Sequence, residues 1–169
     1  MRIVIAIGIL IALAVIGANY TGSFDDSSGS QSTPPQNKSE IIFHAIEEKG
    51  IKVEDVYTSN GSEIKEAFGL EDSNIEDNST TAFIVFRYSI QEDIDKKLLS
   101  VLGVVYTTLS AEPSIDGVLV MPYDPLDSTG RASLVYTNRS HAQGVAAQNL
   151  SLRNLYNSFD VYVITVGVR

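Results

Sequence analysis

Between residues 71 and 78 the chain carries Glu71, Asp72, Asn74, Glu76, Asp77 and Asn78, hard oxygen donors one or two residues apart. Such a run can wrap a calcium ion, with Glu71, Asp72, Glu76 and Asp77 as the carboxylates. The order departs from a calcium loop: the D-x-[DN]-x-[DN]-G pattern is missing, and so is a closing glutamate that could bind with both oxygens. A solvated acidic loop is therefore the plainer expectation, with the metal site as the alternative. The two histidines, His44 and His141, are the groups whose ordinary titration lies nearest neutrality. His44 falls beside apolar neighbours in a predicted helix, where a structural histidine is the ordinary case. Ser140 and His141 are adjacent in sequence, but catalytic pairs are adjacent in space, and Ser140 is expected to cap a helix. No G-x-S-x-G, H-E-x-x-H, phosphate-cradling glycine loop or dinucleotide fingerprint occurs. The sequence thus assigns no catalytic residue, cofactor or resident metal. An exported hydrolase built on scattered Asp, Glu and His is the enzymatic alternative.

A second kind of chemistry is more frequent. Asn-x-Ser/Thr occurs at Asn19, Asn37, Asn60, Asn78, Asn138 and Asn149, six of the nine asparagines, where chance placement gives about one or two. These are acceptors for N-glycosylation in an exported chain. Asn37, Asn60 and Asn78 lie in polar stretches and are the favoured acceptors. Asn138 and Asn149 adjoin predicted regular structure, where capping is the competing role, and Asn19 sits too close to the apolar run. Tyr123, Tyr136, Tyr156 and Tyr162 are expected to keep their rings in the core with hydroxyls at the rim; a shared tyrosine-bearing binding surface is the alternative.

What must position these groups begins with an unbroken, uncharged run from Ile3 to Ala18, preceded by Arg2 and followed by Asp25 and Asp26. Sixteen residues fall between a signal-peptide core and a comfortable membrane span. Residues 1–20 therefore read as a transmembrane anchor or a signal peptide. The charge flanks place the domain outside the membrane in either case. Ile16-Gly17-Ala18 matches the A-x-A cleavage pattern poorly, which favours the anchor. Residues 21–37 are rich in Ser, Gly, Asp and Pro and read as a flexible linker with a typical span of roughly 20 to 25 Å. With no cysteine in the chain, export brings neither disulfides nor a lipidated cysteine.

Residues 38–169 remain for one extracytoplasmic domain, enough for a hydrophobic core. The net charge of −9 is uneven: residues 20–80 hold thirteen acids against four bases, and residues 81–169 eight against seven. With no basic stripe, nucleic acid is excluded as a partner. A protein partner or a homo-oligomer is compatible with the composition, and the membrane is the partner of the apolar run.

Apolar periodicity predicts helices at 38–50, 62–68, 90–110 and from 140 through 146, the last open to an interruption near Asn149 and a resumption through Leu155, and strands at 51–58, 82–88, 117–123, 132–138 and 161–168. Ser39, Ser89 (with Glu92 in a capping box) and Ser140 are the expected caps, and Asn60-Gly61 an expected turn. The fold class is α+β: a mostly antiparallel sheet with a ferredoxin-like βαββαβ core from Ala82 onward, plus an N-terminal helix-strand extension. Phe83 and Val85 on one face of a strand, with Ile84 and Phe86 on the other, require cover on both sides, and either the first helix or another subunit is expected to supply the second layer. The function expected is a membrane-anchored or secreted interaction or cell-envelope module; a pilin-like subunit is a further alternative.

Overall fold

A computed structural model describes residues 37–89, 93–124, 126, 129–148 and 150–165. The apolar run from Ile3 to Ala18, the linker up to Gln36, Glu92, Asn19, Asn149 and Val166 to Arg169 lie outside the described residues. Among those described, no helix is long and apolar enough to cross a membrane.

The elements run α1 (Lys38–Glu47), β1 (Val53–Asn60), α2 (Gly61–Phe68), β2 (Thr80–Arg87), α3 (Ile94–Ala111), β3 (Gly117–Tyr123), β4 (Arg131–Asn138), α4 (Arg139–Ala146), α5 (Leu152–Asn157) and β5 (Asp160–Thr165). The five strands form one mixed sheet in the order β1-β2-β3-β4-β5. Only β2 and β3 run parallel, joined across α3, as a parallel pair requires a long crossover. The other three pairings are antiparallel.

From Ala82 onward the described elements run strand, helix, strand, strand, helix, helix, strand, one helix more than the expected βαββαβ order, and the ladder corrects the ferredoxin-like pairing. In a split β-α-β arrangement another strand lies between the two that a helix joins. Here β2 is the direct neighbour of β3, and β4 of β5. Element order is written in local periodicity, whereas pairing depends on contacts far apart in sequence.

The sheet is covered on both faces, though not as expected. Ile42 and Ile46 of α1, Val101 and Val105 of α3 and Ala142 of α4 pack with Val56, Ile84, Phe86, Val118, Val120 and Val135. The first helix therefore shares a layer with α3. The opposite face, with Phe83, Val85, Leu119, Met121, Leu134 and Tyr136, is closed by Ile64 of α2 and by Leu70 and Ile75 from the acidic loop. A short amphipathic helix and two loop residues seal the second core.

The helix starts are also shifted. Asn37 Oδ1 accepts from Ser39 N at 3.2 Å, Asn60 Oδ1 from Glu63 N at 2.9 Å and Asn138 Oδ1 from His141 N at 2.7 Å. The caps are the asparagines, displacing Ser39 and Ser140 from that role and turning Asn60-Gly61 from a turn into a helix start. Asp93 caps α3, so that helix begins at Ile94 and not at residue 90. Asparagine and serine cap equally well, so composition alone does not choose between residues two apart. The helix ends were better marked: Gly50 and Gly69 take the left-handed conformation, φ +77° and +63°, that glycine adopts without a Cβ penalty.

One arginine closes the main helix. Arg139 Nε donates to the Ile115 carbonyl at 2.9 Å, and its two terminal nitrogens donate to the carbonyls of Leu109 at 2.9 Å and Glu112 at 3.0 Å. The guanidinium thus joins the Leu109 carbonyl in the last turn of α3 to the segment that follows the helix, where the Glu112 carbonyl also accepts from Ile115 N at 3.2 Å.

Candidate functional site

The acidic loop acts on the adjoining helix. Gly61 N donates to the Ser79 carbonyl at 2.9 Å, and Ser62 N to the Asp77 carbonyl at 3.0 Å. These are the first N–H groups of α2, which have no partner within the helix. The Glu76 carbonyl accepts from Ser79 Oγ at 2.7 Å and lies so close to Gly61 that a Cβ there would approach it to 1.9 Å. The Asp77 carboxylate pairs with Lys65 at 2.8 Å. Asn74 ties the loop to the last strand, its N–H donating to Tyr162 Oη and its Nδ2 to Asp160 Oδ2, both at 3.3 Å. Glu71, Asp72, Glu76 and Asp77 are exposed and spread along this loop. Among the described residues, no group of three or more His, Asp or Glu side chains is placed to hold a metal ion.

The histidines separate. His44 is exposed on α1, edge-on to Phe43 at 5.8 Å. His141 sits in the first turn of α4, and its Nε2–H donates to the Ser158 carbonyl at 2.8 Å. Its ring meets Phe159 edge-on. This links the start of α4 to the turn that leads into β5. A cavity of about 460 Å³ lies among Tyr106, Ala146, Ala147, Gln148, Leu150 and Leu155; neither a histidine nor a carboxylate lines it.

The acceptor asparagines divide by role. Asn37, Asn60 and Asn138 cap helices through Oδ1. Asn78 is exposed in the acidic loop. Ser151, the third residue of the Asn149 pattern, caps α5. Capping uses Oδ1 and leaves Nδ2, the atom a glycan would join, free of that bond.

The tyrosines lie on different faces. Tyr136 is buried at 1 % exposure, and its hydroxyl has no hydrogen-bond partner among the described residues. Burial, reinforced by Glu76, Tyr162 and Asp160, pushes its ionisation up to about 12. Tyr123 and Tyr162 border the same core, whereas Tyr156 packs on the opposite face. Burial also raises Tyr156 and Tyr162.

The feature that no residue type announces is an edge. β5 pairs with β4 on one side, and no described strand pairs with the other. Along it Val161 and Val163 are 48 % and 66 % exposed, on the face opposite to Tyr162 and Ile164. The signal lay in the alternation V-Y-V-I-T itself, a strand apolar on both faces at a position where one face meets solvent. The far edge differs. β1 carries a register shift between Val53 and Asp55, and Glu54 there is paired with Arg87 at 2.6 Å. A bulge and charges of this kind deter pairing with another strand.

Comparison with known proteins finds no family model, no curated protein and no solved structure that matches this chain.

Proposed function

We propose that the protein is an extracytoplasmic interaction module, held at the membrane by Ile3 to Ala18 and working through a surface, without bond chemistry of its own. The observation that carries the reading is the β5 edge, which no described strand pairs, with Val161 and Val163 exposed along it, because an edge strand offers both backbone groups and apolar area to a partner. Placement outside the membrane is supported by the Arg2 and Asp25/Asp26 flanks and by the six glycosylation patterns. A role in organising the cell envelope follows from a tethered, partner-binding domain. Against the hydrolase alternative stands the Nε2–H of His141, which is engaged by a backbone carbonyl.

The test is expression of the full chain in a glycosylating host, followed by fractionation, protease treatment of intact cells and intact mass. The chain is expected in the membrane fraction, with the domain removed by external protease and the mass raised by glycan. A soluble chain protected inside the cell would refute the placement.

A further inference from the structure

We infer that the partner of the β5 edge is the β5 edge of a second copy, paired antiparallel about a two-fold axis at Val163. Antiparallel neighbours in one sheet keep their faces, so a symmetric register must place residues of equal parity opposite each other. With Val163 on the axis, Val161 lies opposite Thr165 and Tyr162 opposite Ile164. The outward face then becomes a continuous β-branched patch of Val161, Val163 and Thr165 from each copy. Its other face pairs an aromatic with a β-branched residue, the cross-strand combination that stabilises sheets.

Three observations select a second copy as occupant. From Val161 to Thr165 the strand carries no charge, so two copies, each of net charge −9, meet along a segment without like-charge opposition. The β1 edge is closed by its register shift and by the Glu54–Arg87 pair, which disfavours a head-to-tail β5-to-β1 filament and leaves the closed, isologous pairing. Most of the other exposed large apolar side chains, Ile94, Leu99 and Leu126 among them, are scattered over helix and loop, whereas Val161 and Val163 form a row that matches itself. A contact of one strand is small for a stable interface. Its occupancy rests on the membrane tether of the proposed function, which raises the local concentration of copies.

The absence of cysteine from the chain makes the register directly testable. Single cysteines are introduced into the full-length protein in its membrane, and mild oxidation is followed by non-reducing electrophoresis. Directly opposed antiparallel residues have Cα atoms about 4.5 to 5.5 Å apart, within disulfide reach. Val163→Cys is therefore expected to give a covalent dimer. Val161→Cys, whose copies would sit four residues out of register, about 13 Å apart, is expected to give at least about tenfold less. The double variant Val161→Cys/Thr165→Cys should restore the cross-link. All three positions are on the edge strand, and a thermal melt of each reduced variant close to that of the parent shows that the fold is kept. Cross-linking of Val161→Cys equal to that of Val163→Cys, or none from Val163→Cys, overturns the dimer. If external protease still removes the domain in that case, the tether reading survives and only the second copy falls. If the domain proves internal while Val163→Cys alone cross-links, the dimer stands and the tether reading falls.

Discussion

Arg139 contributes through geometry more than through charge, because its planar fork reaches three carbonyls at the end of α3 at once. Arg139→Met removes all three bonds, leaving the Leu109 and Ile115 carbonyls without the guanidinium while the Glu112 carbonyl keeps Ile115 N as a donor. The expected loss is about 3 kcal/mol, read from denaturant unfolding; Arg139→Lys should recover only a fraction, since an ammonium cannot span the three acceptors. Gly61→Ala is expected to cost upward of about 2 kcal/mol, because the new methyl would collide with the Glu76 carbonyl. Tyr136→Phe is the opposite case. The hydroxyl is buried without a partner among the described residues, so its removal should leave stability unchanged or raised by up to about 1 kcal/mol. A clear loss on Tyr136→Phe would reveal a partner for that hydroxyl.

At the scale of elements, the Asn-x-Ser patterns at Asn37, Asn60 and Asn138 serve two roles that can be separated. Asn138→Ala removes both the cap and the glycan acceptor, whereas Ser140→Ala removes the acceptor pattern and keeps the Oδ1 bond to His141 N. The first is expected to lower stability by about 1 kcal/mol and the second by a few tenths at most, while both abolish any glycan mass at that site. Equal losses would mean that the asparagine does not cap. This double role also explains what could be read in advance. Helix faces such as Leu98, Val101, Val105 and Leu109 repeat every three or four residues, and left-handed Gly50 and Gly69 follow directly from their positions, so these were legible, whereas Ile94, on the same expected face, is exposed. The caps of α1 and α4 fall two residues before the expected serines because Asn and Ser compete for one position, and Asp93 takes the place expected for Ser89. The loop at 71–78 advertises side-chain carboxylates, but its carbonyls do the capping, and a carbonyl belongs to every residue type alike. The β5 edge was invisible until pairing was known, since an apolar alternation looks the same at the centre of a sheet and at its margin.

For the molecule as a whole, one buried and four half-buried tyrosines set an alkaline limit. Tyr57, Tyr106, Tyr136, Tyr156 and Tyr162 are all raised, in each case chiefly by burial. Below pH 10 both the folded and unfolded chains hold these protons, and stability is independent of their titration. Above it the unfolded chain releases protons that the fold retains, so stability should fall as pH rises from 10 toward about 12, the value for Tyr136. Denaturant midpoints measured across that window check the sign, and Tyr136→Phe should flatten the slope. A midpoint constant from pH 9 to 12 would contradict the burial of these rings.

The sequential sheet order has a consequence for how the fold is reached. Every strand pairs with the one made just before it, so loop closures stay short and the sheet can extend in the order of synthesis, without any strand waiting for a later one to be inserted beside it. The longest wait is for β3, which must find β2 across the whole of α3. A chain emerging amino terminus first, through a ribosome or through a translocation pore, could therefore build this domain one edge at a time, with β5 the last edge to form.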